Sequence, residues 1–460
     1  MQAMNGFSGI GARRAHRMLG CMVALVALAA MAFTPAIASA HKTPRVRHTY
    51  LALGDSLAFG YSQQLFNENE KSGENPFGFE HGYTNDYLNL INSSGKYQLV
   101  NLGCPGETSA SLIGTKLAGE LNVALAGQLP VPVTGEEPCE YHRVDGLRLH
   151  HEYGGTKSQL ESALAVIAEE KAKGTPVKMV SLNDGANDEL HLVKKLEAEA
   201  TADITAEVAG IAHVKVLNYV QAKAKEEVEA YVVEQVIPQA IEESGGVPPA
   251  FEEDIAKDAA AYFAAHAGEL ELLGLEDAGA YGATHAHELE LLGEQYAYEY
   301  QVAHGAELKA KGEELVGRKL KEDAPALFQQ IIVNVDATII ALRGGGFKGK
   351  VIFQGGYDAY GDLTGHGEAL AGSNELVEDL NQALKANITA KKVGSVKFGA
   401  CFANPHPYFN PGGALEPVRL FELINMDNMK ETNGKKDGPD IHPTPAGYQQ
   451  LANEMYADCG

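Results

Sequence analysis

Hydrophobic and polar positions follow two regimes along this chain. Five apolar runs, Tyr50–Leu53, Tyr97–Leu102, Val177–Leu182, Val351–Gln354 and Val393–Gly399, are too short for helices and predict buried strands. Between them apolar residues recur at steps of three and four. Tyr83, Tyr87, Leu88 and Ile91 do so within Gly82–Ser93; Leu160, Leu164 and Ile167 within Gln159–Lys173. Leu327, Ile331, Val335, Ile339 and Leu342 do so within Pro325–Arg343, and Ser373–Lys392 and Pro445–Tyr456 read as two further helices. Ser158 with Glu161 forms a capping box ahead of one helix, and Gly174 stops it. Strands alternating with helices in this way imply a parallel sheet covered on both faces. The stretch Ala118–Gly155 dissolves into Gly, Pro and charge and reads as a long loop bordering a site, and Phe402–Gly413, rich in Pro and aromatics, as a pocket rim.

One region breaks the alternation. Residues 193–322 are dominated by Ala, Glu and Lys with helical periodicity, and predict an acidic helical insertion within one α/β domain whose parts are 41–192 and 323–460. Inside it, HAGELELLG from His266, HAHELELLG from His285 and HGAELKAKG from His304 repeat at a 19-residue step. Such a step turns each His by about 100° around a helix, so one straight helix would not align them on a metal. They read as partly exposed helix residues.

Composition narrows the class. With 45% hydrophobic and 21% charged residues the chain is globular and not disordered. A formal charge of −24 excludes a nucleic-acid partner, which needs clustered Lys and Arg. Arg13, Arg14 and Arg17, the apolar core Leu19–Ala32 and the small residues Ala38-Ser39-Ala40 have the form of an export signal at 1–40, cleaved after Ala40. The expectation is a secreted protein with no stable membrane insertion after signal removal. Signal removal takes Cys21 away and leaves Cys104, Cys139, Cys401 and Cys459. Three pairings are open; neighbourhood in sequence favours Cys104–Cys139 and Cys401–Cys459. No CxxC pair exists to support a metal site.

Candidate chemistry sits at the ends of the apolar runs. Gly54-Asp55-Ser56-Leu57 follows the first, at the sheet edge where open α/β folds gather ligands. Asn101-Leu102-Gly103-Cys104-Pro105-Gly106-Glu107-Thr108 spans the end of the second, Gly185-Ala186-Asn187-Asp188 follows the third, and Asp440-Ile441-His442-Pro443 precedes the last helix. Together, in this order, the four blocks resemble the SGNH, or GDSL, family of serine esterases and lipases. The resemblance covers the first and last thirds of the mature chain. It implies a three-layer α/β/α sandwich with a flavodoxin-like sheet and no cofactor. It also implies Ser56 as nucleophile and His442 as base. The backbone N–H groups of Ser56 and Gly106 and the amide of Asn187 would serve as oxyanion donors. The family places an Asp three residues before its His; here Pro439 holds that position, and either Asp440 or a backbone carbonyl such as that of Pro439 would orient the ring. Asp55 and Asp188 read as turn-fixing residues.

The expected function is hydrolysis of a small-molecule or lipid carboxylic ester through an acyl-enzyme on Ser56. A carbohydrate deacetylase uses the same machinery. A non-catalytic binding protein is the rival from another class, with the insertion engaging a protein partner. For the insertion, a lid over the site and a partner-binding module are equally compatible with the pattern.

Overall fold

In a computed structural model of the chain, which describes residues 47–69, 76–236, 238, 278–359, 373–390, 392–393, 396–411, 423–425, 431–432, 434–436 and 440–460, the apolar runs assemble into one parallel sheet. Its strands are β1 (His48–Leu53), β2 (Tyr97–Asn101), β3 (Val177–Leu182), β4 (Lys350–Gln354) and β5 (Ala400–Ala403), in the order β2-β1-β3-β4-β5. Registers are parallel throughout, with Leu51 opposite Val100 and Val180, Leu182 opposite Phe353, and Phe353 opposite Phe402. The expected export signal, 1–40, lies outside the described residues.

Side chains on a strand alternate between faces, and this alternation builds two cores. Leu51, Leu53, Val180, Leu182, Val351 and Phe353 enter one apolar cluster; Tyr50, Ala52, Met179, Ile352 and Ala403 enter the other. The helices used below are α1 (Ser56–Phe59), α2 (Tyr83–Ile91), α3 (Ser109–Ile113), α4 (Gln159–Lys173), α5 (Ala186–Tyr231), α6 (Ala286–Gly344), α7 (Ser373–Ala390) and α8 (Pro445–Cys459), with further helices of up to ten residues between them. The first cluster is closed by α4, α7 and the last third of α6, the second by α2 and α8. A sheet buried on both faces by helices is compatible with a three-layer α/β architecture. The capping box at α4 forms as expected: Ser158 Oγ accepts from Glu161 N–H, Glu161 Oε2 accepts from Ser158 N–H, and Gly174 closes the helix in the left-handed conformation.

Three local expectations are corrected. The loop expected over Ala118–Gly155 contains helical turns at Thr115–Ala124 and Glu140–Asp145, because Leu117, Ala118 and Leu121 find core to pack on. The strand expected at Val393–Gly399 is replaced by a small antiparallel pairing of Lys392–Val393 with Val396–Lys397. The sheet strand begins only at Ala400, where Phe402 stacks on Phe353 and Cys401 is bridged to Cys459 of α8. The helix expected to begin at Pro325 is the end of the 59-residue α6, with Pro325 in its interior. An interior proline costs about 3 kcal/mol of helix stability. Here Val316, Leu320 and Ala324 bury against Leu196 and Ala200 of α5, and the residues beyond Pro325 enter the sheet core, so packing on both sides outweighs the break.

Helices α5 and α6 run antiparallel as a long arm: Lys319 Nζ reaches Glu199 at 3.0 Å, and further along Lys311 pairs with Glu207. The arm has no boundary at residue 193, since α5 starts at Ala186 in the core and continues outward without interruption. His285 and His304 are half-buried and stack on the Tyr four residues before each, Tyr281 at 4.1 Å and Tyr300 at 4.2 Å. His266 lies outside the described residues.

At the root of the arm Leu196 is fully buried among Ala200, Val316, Leu320 and Leu376. Leu196→Ala is expected to destabilise the protein by about 2–5 kcal/mol, read as a lower urea midpoint; an unchanged midpoint would mean that the arm root is not part of the cooperative fold.

Candidate functional site

The turn after β1 is held from several sides. Gly54 has φ +137°, and a Cβ there would sit 2.1 Å from Asn183 Oδ1, so glycine is required both by conformation and by space. The buried amide of Gln159, the first residue of α4, grips this glycine at both ends: Gly54 N–H donates to its Oε1 at 2.6 Å, and its Nε2 donates to Gly54 O at 2.9 Å. Asp55 caps α1, its Oδ1 accepting from Leu57 N–H at 2.8 Å and from Asn183 Nδ2 at 2.5 Å; burial pushes its pKa up. Ser56 follows as the first residue of α1, at the carboxyl edge of the sheet and 9% exposed.

The second and third blocks meet beside it. Gly106 has φ +78°, and a Cβ would stand 2.9 Å from the ring of Tyr141. Asn187, in the first turn of α5, donates one amide N–H to Glu107 O at 2.9 Å, which leaves its second N–H for another acceptor. Next to it, Asp188 accepts from Ser109 N–H at 2.8 Å and from Ser109 Oγ at 2.7 Å, docking the start of α5 onto α3. Asp55 thus has the turn-fixing bond expected of it, whereas Asp188, expected to do the same, instead joins two helices.

The last block supplies a histidine held by a carboxylate. Asp440 Oδ1 lies 2.5 Å from His442 Nδ1 and also accepts from His442 N–H at 3.1 Å, while Asp440 Oδ2 accepts from Gln63 N–H at 2.8 Å. A carboxylate at Nδ1 keeps the proton on that nitrogen and leaves Nε2 as the basic one. The carboxylate of Asp440 holds the ring; Pro439, whose carbonyl was the alternative, lies outside the described residues. Tyr61 packs against the imidazole with ring centroids 4.7 Å apart.

Ser56, Gly106, Asn187, Asp440 and His442 line one cavity of ≈ 610 Å³. No family model, curated protein or solved structure matches the chain. Leu57, Leu190, Val193, Leu376 and Ile441 make much of the cavity wall apolar, and two of these belong to the root of the arm. Cys104–Cys139, one of the two disulfides present, ties the Gly106 turn to the segment carrying Tyr141; Cys401–Cys459 is the other. Among the described residues the closest His, Cys, Asp and Glu grouping is Cys104, Glu107 and Cys139, but bridged cysteines offer no thiolate to a metal.

Two supporting residues escaped sequence reasoning, Gln159 and Glu107. The carboxyl of Glu107 is fully buried and accepts from Cys139 N–H at 3.3 Å, Gln159 Nε2 at 3.2 Å and Tyr153 OH at 3.4 Å. Its position next to Gly106, inside the second block, was the available signal. Burial pushes its pKa from 4.5 up to about 7. Glu189, also on the cavity wall, is pushed up to about 8 by burial and by Asp188 and Asp358 beside it.

An acid with a raised pKa in the fold binds its proton more tightly when native. Its stabilising effect is complete below the unfolded value near 4.5 and is lost as pH rises through about 7. Glu107 is therefore expected to withdraw on the order of 3 kcal/mol of stability between pH 4.5 and 8. Urea midpoints measured across this range should fall less steeply for Glu107→Gln than for the unmodified protein; parallel slopes would show that Glu107 does not titrate there.

Proposed function

We propose that the chain is a secreted serine ester hydrolase of the SGNH type, acting through an acyl-enzyme on Ser56. The observation that carries this reading is the convergence of four separate stretches of chain on one cavity, with a carboxylate 2.5 Å from the Nδ1 of its histidine. A serine hydroxyl is a weak nucleophile until a neighbouring base takes its proton. In this reading His442 Nε2 takes the proton from Ser56 Oγ as the oxygen attacks the ester carbonyl, and Asp440 stabilises the resulting imidazolium. The negative oxygen of the tetrahedral intermediate is met by the N–H of Ser56, which lies in the first turn of α1 where helical N–H groups lack intrahelical partners. The N–H of Gly106 and the free amide N–H of Asn187 complete the hole. Collapse expels the alcohol with the proton from His442, and water then repeats the sequence on the acyl-enzyme.

Other features agree. The strand order β2-β1-β3-β4-β5 matches that of flavodoxin-like sheets, which place ligands at this edge. Two disulfides suit an oxidising compartment. The cavity lies within the ~300–1,000 Å³ range of small-molecule sites. Together with its Leu and Val wall, this favours an acyl group longer than acetyl over a deacetylase pocket.

Hydrolysis of p-nitrophenyl esters from acetyl to palmitoyl tests the reading. Ser56→Ala should abolish turnover, Asp440→Asn should lower kcat by about 10²- to 10⁴-fold, and Asn187→Ala by about 10²- to 10³-fold. The rate should rise from acetyl to longer chains. A maximum at acetyl would favour the deacetylase. No turnover of any ester by folded protein would favour a binding protein built on the same scaffold.

A further inference from the structure

Leu190 and Val193 of α5 and Leu376 of α7 give the large cleft an apolar wall. A separate groove of ≈ 190 Å³ lies between α6 and the first turns of α7, lined by Leu320, Ala324, Pro325, Phe328 and again Leu376. Its charged members, Lys321, Glu375 and Asp379, are all exposed, which leaves the buried part of the lining apolar. Among the described residues Leu376 is the one that lines both spaces, and it is 9% exposed. A single apolar cluster underlies the two: Leu196, Leu320, Ala324 and Leu376 are buried in it, and Val193 and Phe328 pack against it. An interior proline leaves the carbonyl four residues before it without a helical donor. Here that carbonyl belongs to Lys321, and the groove opens where these two residues stand.

The roles proposed for Ser56 and His442 give the cleft a direction. His442 hands its proton to the departing alcohol, so the alcohol leaves on the side of Tyr61 and Gln63, which pack on the ring and bind its carboxylate. The acyl chain points the other way. His442 leads into α8, which closes the core on one face of the sheet, whereas α6 and α7 close the other. A chain directed from Ser56 towards α6 and α7 passes Leu190 and Val193 and meets Leu376, with the groove beyond. Apolar surface of this kind takes an aliphatic chain out of water and offers nothing to a polar one.

We propose that the root of the arm is the acyl-binding element of this site, and that Leu376, the partition between cleft and groove, sets the longest chain accepted. The substrate class is an ester of an unbranched aliphatic acid. The proposal deepens the ester-hydrolase reading and takes the direction of the chain from it. It gives the helical insertion a part in substrate recognition.

The test uses the whole protein and two readouts. In the first, kcat/KM is compared for p-nitrophenyl octanoate and palmitate. Leu376→Ala joins the two spaces and should raise the palmitate-to-octanoate ratio about tenfold or more, since each further methylene buried is worth about fourfold. Leu376→Val, which keeps more of the packing, should move the ratio the same way by less. Adding Ala324→Leu to Leu376→Ala fills the groove from α6 and should take the gain away. The second readout needs no turnover: calorimetry of octanol and dodecanol binding to Ser56→Ala, with and without Leu376→Ala. Dodecanol should gain about tenfold in affinity and octanol much less. Esters turned over with an unchanged ratio in both Leu376 variants would overturn the proposal and leave the hydrolase reading standing. If no ester is turned over, a dodecanol gain that follows Leu376 supports the aliphatic site without the chemistry, and equal affinities overturn it.

Discussion

The amide of Gln159 is the contact on which the rest of the site depends. It is completely buried, grips both the N–H and the carbonyl of Gly54, and also donates to Glu107 and to Tyr153 OH. One side chain thus fixes the turn that presents Ser56, the residue that follows Gly106, and the first residue of α4. A buried amide with all its groups paired is rigid because every alternative leaves donors or acceptors unmet. The same bonds explain why Glu107 tolerates burial. Three donors partly offset a desolvation that still leaves its proton more tightly held than usual.

From this centre the acidic arm gains its meaning. Helix α5 begins at the carboxyl edge of the sheet, with Asn187 and Asp188 in its first turn, and leaves the core without a break. Leu190 and Val193 wall the cleft, and Leu196 and Ala200 then pack on α6. The arm is therefore not an appendage joined by a flexible linker. Its root is part of the cavity, and one uninterrupted helix carries both Asn187 and the arm. Salt pairs such as Lys311 with Glu207 lie on exposed flanks and add little to stability; the apolar root sets it.

What could be read from the chain and what could not divides along local and tertiary lines. Strands β1, β3 and β4 and helix α4 were legible because their apolar period and capping residues are local signals. The disulfide pairing followed from proximity in sequence. Continuity of α6 through Pro325 was not legible, since the proline signals a break and only Leu196 and Ala200, more than a hundred residues away, override it. The late start of β5 was hidden for a similar reason: Val393 to Gly399 has the better strand composition, but Ala400 and Ala403 are the small residues that pair beside β4, Ala400 entering the cluster closed by α4 and α7 and Ala403 the one beneath α8. Ser56, Gly106, Asn187 and His442 were found as sequence blocks. Glu107 and Gln159 act through bonds between distant segments, which no periodicity announces.

The two-residue spacing between Asp440 and His442 is held by constraints from elsewhere in the chain. An acid two residues ahead of a histidine cannot approach the ring as one three ahead does. Here Asp440 folds back in a tight local turn, its Oδ1 accepting from both the backbone N–H and the ring of His442. A turn of this kind is floppy unless the acid is held on its other side. Gln63 N–H supplies that hold at Oδ2, Tyr357 OH binds the carbonyl of Ile441 between them, and Tyr448 OH binds the carbonyl of Tyr61 just ahead of Gln63. The acid is therefore positioned by the segment that follows Ser56 as much as by its own loop. Ser56 and His442 are thereby tied into one hydrogen-bonded frame, since Tyr61 N–H donates to Ser56 O and Gln63 N–H to Asp440.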